Sequence, residues 1–378
     1  MLTRATLKNS KRWVIKLGSA VLTNHGKGLD QQVINHLASQ INYLKQQGIQ
    51  SVVVSSGSIA EGRRRLHMQM KANHSMDALQ AAAAVGQSAL MQAYEHAFSK
   101  YAYLTAQILL THDDIVNRKR YLNARATLQK LLRIHVIPIV NENDTVVTEE
   151  IKLGDNDTLA ALVANLIEAD VLIILTDQAG LYDQNPQITT EAKLITDISV
   201  KDPKLKTIAN AASRQSGQLG KGGMYTKIRA AQTAAHSGTT TIVASGQEPE
   251  ILQKIYQGAP CGTLFQVHSS PLVARKQWLA GHLQEKGVVT INACAKIALQ
   301  QQGVSLLAVG VIAVHGNFQR GDLVCCKDQQ GETIGKGLIN YDFQETLKIQ
   351  GAQSRDIPAL LGYSAEPELI HRNNMMVF

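Results

Sequence analysis

Over roughly the first two-thirds of the chain, short apolar runs alternate with longer stretches of helical periodicity. The runs Trp13–Leu17, Ser51–Ser55, Ala102–Leu110, Val136–Val140, Val171–Thr176 and Thr240–Ala244 predict strands. Between them, Gln31–Gln47, Ala78–Lys100, Asn117–Ile134, Asp157–Glu168 and Gly223–Ser237 repeat apolar residues three and four apart and predict amphipathic helices. Strands that are nearly continuously apolar and separated by helices indicate a mostly parallel sheet covered on both faces, an α/β/α sandwich. Ligands in such folds bind beyond the carboxyl ends of the strands, so the strand-to-helix junctions are where chemistry is sought.

The last quarter has another rhythm. Runs at Val288–Ile291, Val309–Val314, Leu323–Cys326 and Thr333–Leu338 are separated by glycine-bearing turns, which predicts a small, mainly β, barrel-like module. The stretch from Pro260 to Glu285 carries Pro260, Gly262, Pro271 and Gly281 and no long period. The expected division is therefore a first domain over 1–260, a linker over 261–284 and a second domain over 285–378.

Composition narrows the class further. The 378 residues are 44% hydrophobic and 18% charged, an ordinary globular balance. No run approaches the roughly 18 apolar residues of a membrane-spanning helix, and the basic segment Met1 to Arg12 has no apolar stretch behind it, so neither insertion nor secretion is expected. Cys261, Cys294, Cys325 and Cys326 show no metal-ligand spacing and the adjacent pair is poorly placed for a disulfide, which fits a reducing cytoplasm. A net charge of +8 invites a polyanionic partner. Its distribution redirects that idea: up to Gln284 there are 30 Lys+Arg against 21 Asp+Glu, and from Glu285 onward 8 against 9. The excess lies with the α/β part. Arg63-Arg64-Arg65 and Arg118-Lys119-Arg120 read as solvated helix faces, and Ala81–Ala84 as a surface for close helix packing.

Five junctions carry candidate chemistry. Lys16-Leu17-Gly18-Ser19 ends the first strand, and Ser55-Ser56-Gly57-Ser58 the second; each sets a glycine where backbone N–H groups can approach an anion. Lys16 closes an apolar strand, where an ammonium is costly unless it meets negative charge, although a lysine snorkelling past a turn glycine reads the same way. The fourth strand runs into Asn141-Glu142-Asn143-Asp144, and a hairpin-like excursion over Val146–Lys152 leads to Gly154-Asp155-Asn156-Asp157. Helix capping needs only one such residue, so two clusters facing one pocket are expected. Thr176-Asp177 followed by Gly180 suits a nucleotide-edge contact or a plain Asx turn. Finally, the glycine-rich segment from Gly217, with Lys221, Gly222, Gly223, Met224, Tyr225, Thr226 and Lys227, opens a helix; it is not a Walker A loop, but it offers N–H donors and cations to phosphate. Cations with N–H groups on one side and carboxylates and amides on the other are what phosphoryl transfer requires.

In this order, Lys-Leu-Gly-Ser, Ser-Ser-Gly, Ile-Val-Asn-Glu-Asn-Asp, Lys-Leu-Gly-Asp-Asn-Asp, Thr-Asp-Gln-x-Gly-Leu-Tyr and Gly-Gly-Met-x-Thr-Lys make the chain resemble, over nearly its whole length, the glutamate 5-kinases of the amino acid kinase family, whose carboxy-terminal module resembles a PUA domain. The resemblance implies ATP-dependent phosphorylation of the γ-carboxylate of L-glutamate as the first step of proline synthesis. Another amino acid kinase, acting on aspartate, N-acetylglutamate, carbamate or UMP, is the alternative, and the Asn-Glu-Asn-Asp segment argues against it. By the same resemblance Lys16 and Lys227 contact phosphates, Asp157 holds those lysines, and Ser56, Asp144 and Asn156 bind glutamate. Thr176, Asp177 and the loop Lys221, Gly222, Gly223, Met224, Tyr225, Thr226 and Lys227 match its ATP site, with Mg²⁺ held mainly by the ATP phosphates. It further implies proline as feedback inhibitor, a dimer or tetramer of like chains, and a cytoplasmic location. RNA binding by the PUA-like module is a further option that the module's charge near −1 does not favour. Two positions depart from the family pattern. Lys221 stands where many relatives carry a small polar residue, to strengthen phosphate binding or to face solvent, and Tyr225 where they often carry serine.

Overall fold

The computed structural model of the chain describes residues 2–23, 28–69, 74–146, 156–184, 186, 188, 189, 191–215, 223–267, 285–363 and 366–378. Two compact units emerge, Met1–Val116 with Ala124–Pro271, and Asn117–Asn123 with Leu272–Phe378.

From the amino-terminal side the chain runs β1 (Arg12–Leu17), α1 (Ser19–Leu22), α2 (Gln31–Gln46), β2 (Gln50–Ser55), α3 (Ser58–Arg65), α4 (Met76–Ser99), β3 (Thr105–Leu110), α5 (His112–Val116), α6 (Arg118–Arg133) and β4 (Ile137–Glu142). It continues through α7 (Asn156–Ile167), β5 (Val171–Thr176), β6 (Leu181–Tyr182), β7 (Leu194–Ile195), β8 (Asp197–Ser199), α8 (Lys204–Gln215), α9 (Met224–Ala235), β9 (Thr240–Ser245), α10 (Ile251–Tyr256) and β10 (Thr263–Gln266). Eight strands form one sheet in the order β3-β4-β2-β1-β5-β9-β10-β8. The pairings from β3 through to β9 are parallel, as the pattern predicts; β10 returns antiparallel to β9 and carries β8 parallel on its far side. The sheet therefore takes in residues 263–266, which lie inside the stretch expected as a linker over 261–284. The third strand begins at Thr105 rather than Ala102, because Ala102 adopts φ 58° and its N–H closes on Ser99, ending the preceding helix in a turn.

Strand period puts alternate residues on opposite faces. Trp13, Ile15 and Leu17 of β1 enter a core with Ile34, Leu37 and Ile41 of α2 and Leu252 and Ile255 of α10. Lys16 therefore turns to the other face, in register with Val54 of β2 and Ile174 of β5, where α7 and α9 pack against the sheet and each other. On the first face, α3 and α4 approach backbone to backbone: a Cβ on Gly62 would stand 1.7 Å from the Ala82 carbonyl oxygen, and one on Gly86 would stand 1.8 Å from the Ser58 carbonyl oxygen. The small-residue run of α4 thus serves the close packing expected of it.

The second unit contains β11 (Glu285–Ile291), β12 (Val311–Gly316), β13 (Leu323–Lys327), β14 (Thr333–Leu338) and β15 (Met375–Val377), paired in the order β12-β11-β13-β14-β15. Its own core gathers Val289, Ile291, Val324, Cys326, Ile334 and Tyr341 among others. Cys325 and Cys326 are buried and unbridged, as their adjacency requires. No helix among the described residues is long and apolar enough to cross a membrane.

Candidate active site

At the carboxyl ends of the adjacent strands β4, β2, β1 and β5 lies a cleft of about 520 Å³. Its walls are the strand-to-helix junctions: Lys16 and Gly18 after β1, Ser56, Gly57 and Ser58 after β2, Asn141, Glu142 and Asp144 at β4, and Thr176 and Asp177 after β5, with Asn156 and Lys227 from the starts of α7 and α9. Parallel strands all end on one side, so four loops distant in sequence converge without any loop having to be long.

One wall is a buried ionic cluster. Asp157, in the first turn of α7, is fully buried; Lys16 and Lys227 are each 4% exposed. Lys16 pairs with Asp157 Oδ1, and Lys227 Nζ lies 3.2 Å from Oδ2. The Thr226 hydroxyl sits 2.9 Å from the same Oδ2 and 2.7 Å from the Gly223 carbonyl, tying the first turn of α9 to the cluster. Burial alone pushes the Asp157 carboxyl up, and the two ammonium groups with the Thr226 hydroxyl outweigh it and hold it below the usual carboxylate range. Two ammoniums share this one buried carboxylate, so both cations are held together at one point of the cleft, where an incoming anion would find them.

The same cleft is lined by an amide and hydroxyl network. Asn156 Nδ2 lies 3.0 Å from the Ser55 carbonyl, 2.7 Å from Ser56 Oγ and 3.0 Å from Asn141 Oδ1. Asn141 Nδ2 donates to Ser58 Oγ at 3.2 Å and to Gln87 Oε1 at 2.8 Å, and Ser58 donates to Asp144 Oδ2 at 3.3 Å. Burial raises the Asp144 carboxyl, and the Ser58 hydroxyl only partly offsets it. Gly57, at φ 104°, turns the chain from β2 into α3 so that Ser58 faces the cleft.

The structure thus brings Lys16, Lys227 and Asp157 together with Ser56, Asp144 and Asn156, and Thr176 and Asp177 line the same cleft. Thr176 donates to Asp177 Oδ1 at 2.9 Å. Gly223, Met224, Tyr225 and Thr226 form the start of α9; the Tyr225 ring is over a third exposed and lies under the Arg229 guanidinium. Lys221 and Gly222 lie outside the described residues, as does most of the excursion expected over 146–152. Asp157 points into the ionic cluster.

Three residues went unread in the sequence. Ser58 and Gln87 look like ordinary polar helix positions, and only the close approach of α3 and α4 buries them. The arginine run of α3, expected to be solvated, divides its work. Arg63 lines the cleft, whereas Arg64 and Arg65 clamp the buried Glu61 at 2.6 and 2.8 Å. The Arg64 hydrogen bond, with that of Arg65 and the Leu29 N–H, overcomes burial and holds the Glu61 carboxyl at about 2.

A profile described as the amino acid kinase family matches residues 11–245, the part that carries the cleft, and a PUA domain profile matches residues 287–361. Proteins named glutamate 5-kinase align end to end: that of Hydrogenovibrio crunogenus is 52% identical over 378 residues, covering 100% of both chains, and that of Methylococcus capsulatus is 52% identical over 377, covering 100% of both. The relative from Chromohalobacter salexigens is 51% identical over 375 residues, covering 99% of this chain and 98% of its own. With a family profile matching well over half of the chain and relatives at about half identity over the full length, the chain belongs to the amino acid kinase family, in its glutamate 5-kinase branch.

Proposed function

We propose that this chain transfers the γ-phosphoryl group of ATP to the γ-carboxylate of L-glutamate, forming glutamyl 5-phosphate and ADP, the first step of proline biosynthesis. The observation that carries the reading is the buried Lys16–Asp157–Lys227 cluster, whose two lysines line one cleft with Ser56, Asp144 and Asn156. A glutamate carboxylate is already ionised at neutral pH, so no general base is needed. Its oxygen attacks the γ-phosphorus, and the bond to the β–γ bridging oxygen breaks with its electrons leaving on ADP. Catalysis then reduces to positioning and electrostatics.

In this reading Lys16 and Lys227 contact the phosphates and offset charge on the transferred group. Asp157 keeps the two ammoniums aimed at one point. Ser56, Asp144 and Asn156 hold glutamate. Thr176, Asp177 and the segment with Lys221, Gly222, Gly223, Met224, Tyr225, Thr226 and Lys227 hold the nucleotide, and Mg²⁺, held by the ATP phosphates, supplies further neutralisation. Proline as inhibitor and an assembly of like chains rest on the family likeness, a cytoplasmic location on the cysteine pattern, and the division at residues 260 and 285 on the proline- and glycine-bearing stretch between them. The test is ADP release dependent on L-glutamate, with hydroxylamine trapping of the acyl phosphate and a panel of aspartate, N-acetylglutamate, carbamate and UMP. Absence of glutamate dependence at high enzyme concentration would overturn the reading.

A further inference from the structure

Three consecutive arginines end α3, and helical period sends them to different surroundings. Arg64 and Arg65, three and four residues beyond Glu61, lie over it and pair with its carboxylate at 2.6 and 2.8 Å. Arg63 is only two residues beyond Glu61 and does not share that row. It stands instead three and four residues after Ala60 and Ile59, and all three line the cleft. Arg63 is half-buried, and one terminal nitrogen of its guanidinium donates to the Gln69 carbonyl at 2.9 Å, which steadies the group. The helix that carries it is seated directly on α4, since a Cβ on Gly62 would stand 1.7 Å from the Ala82 carbonyl oxygen. Arg63 is therefore a cation placed at the cleft by a fixed backbone.

Among the described residues that line the cleft, the cations are Lys16, Lys227 and Arg63, and the carboxylates are Glu142, Asp144 and Asp177. Lys16 and Lys227 are held together by Asp157, and with the phosphates on them the attacking γ-carboxylate stands beside the transferred group. Glutamate carries a second carboxylate and an ammonium, both on one carbon. Four carbon–carbon bonds of about 1.5 Å separate its two carboxylate carbons, so the second cannot lie more than roughly 6 Å from the first. Asp144 suits the ammonium and repels a carboxylate. The α-carboxylate therefore needs a cation other than the two lysines. A guanidinium meets a carboxylate with two parallel N–H bonds, which an ammonium cannot do. The same helix reaches Asp144 as well, through the Ser58 hydroxyl at 3.3 Å from its Oδ2. We propose that Arg63 binds the α-carboxylate of the acceptor substrate, and that this contact makes the site select an amino acid with a free α-carboxylate over one in which that group is an amide. The inference deepens the reading of glutamate as acceptor substrate and rests on it.

Arg63→Gln removes the charge and the paired donors and keeps a polar side chain. The full-length chain is assayed by ADP release, varying L-glutamate, its α-amide and ATP in turn, with thermal melting as the check on folding. The α-amide keeps the γ-carboxylate and the ammonium and lacks only the second negative charge; if wild type does not turn it over, its Ki against glutamate is read instead. The expected result is a glutamate kcat/KM lowered roughly tenfold to a hundredfold, mainly through KM, as for the loss of a hydrogen-bonded charge contact. The ATP KM and the value for the α-amide stay within about threefold, so the preference for glutamate over its amide shrinks by nearly the whole loss. Arg65→Gln, on the same helix but turned to Glu61, keeps the glutamate KM within about twofold. Arg63→Met carries the same expectation as Arg63→Gln and replaces it if the glutamine variant does not fold. A glutamate KM within threefold of wild type in the Arg63 variant, equal losses for glutamate and its amide, a loss confined to ATP, or a matching loss in Arg65→Gln overturns the inference alone. A wild-type chain without glutamate-dependent turnover overturns the substrate reading and takes the inference with it.

Discussion

Asp157→Asn removes one negative charge and little else, since asparagine has nearly the same shape. In the native cluster that carboxylate is fully buried and pairs with two ammonium groups that are themselves almost fully buried. Without it, both ammonium groups lose the carboxylate they share. Breaking a buried ion pair by removing one partner costs about 3–5 kcal/mol. At about 2–4 °C per kcal/mol for a unit of this size, the first unit should melt roughly 6–20 °C lower at neutral pH. The melting gap to wild type should narrow on adding ATP, whose phosphates replace the missing negative charge. In ADP-release assays kcat should fall by about 10²–10³, the loss of one preorganised charge contact in the transition state. Scanning fluorimetry with and without nucleotide, together with steady-state kinetics, provides the measurements. A variant that melts within about 2 °C of wild type and retains kcat within tenfold would refute the idea that the Lys16–Asp157–Lys227 charges are mutually dependent.

Further outcomes are expected at other points. Lys16→Ala and Lys227→Ala should each lower kcat by orders of magnitude while the fold is kept, because Asp157 retains the other lysine; near-normal turnover in Lys227→Ala would remove the start of α9 from the phosphate site. Asp144→Asn should act mainly on glutamate KM, and a change confined to ATP KM would contradict the assignment of that wall. Glu61, whose carboxyl Arg64 and Arg65 hold at about 2, contributes stability that is present above its unfolded value near 4.3 and is lost as pH falls through the folded value; the two arginines are half exposed, so Glu61→Gln should cost only about 1–2 kcal/mol at pH 7 and flatten the acid limb of the melting profile between pH 4.5 and pH 2. Gly86→Ala should destabilise the first unit by about 2 kcal/mol or more and also raise glutamate KM, because the new methyl group would press on the Ser58 carbonyl; an unchanged melting temperature would show that α3 can retreat freely.

Much of this architecture is legible in the chain because hydrophobic period is a local property. Apolar runs of five or six residues separated by helical stretches specify a parallel sheet, and the strand ends mark the crevice before any coordinates are known. Lys16 stands out for the same reason, since a charged residue at the end of an apolar strand needs a partner, whereas Lys227 is marked by its glycine-rich segment and Asp157 by the family resemblance. What the period leaves open is who that partner is. Lys16 meets Asp157 because β1 lies between β2 and β5 in a sheet whose order departs from sequence, which brings α7 and α9 onto the face opposite α2. Gln87 and Ser58 carry no local sign of function; they are buried only because Gly62, Ala82 and Gly86 let two helix backbones touch. The antiparallel return of β10 and the edge position of β8 are likewise set by long-range pairing, to which a short apolar run contributes no direction. The sequence alone therefore determined the layers, the side of the sheet that binds and the charged residues that needed partners. The tertiary structure decided the pairing of those residues and the orientation of the amides, since both depend on contacts between segments far apart along the chain.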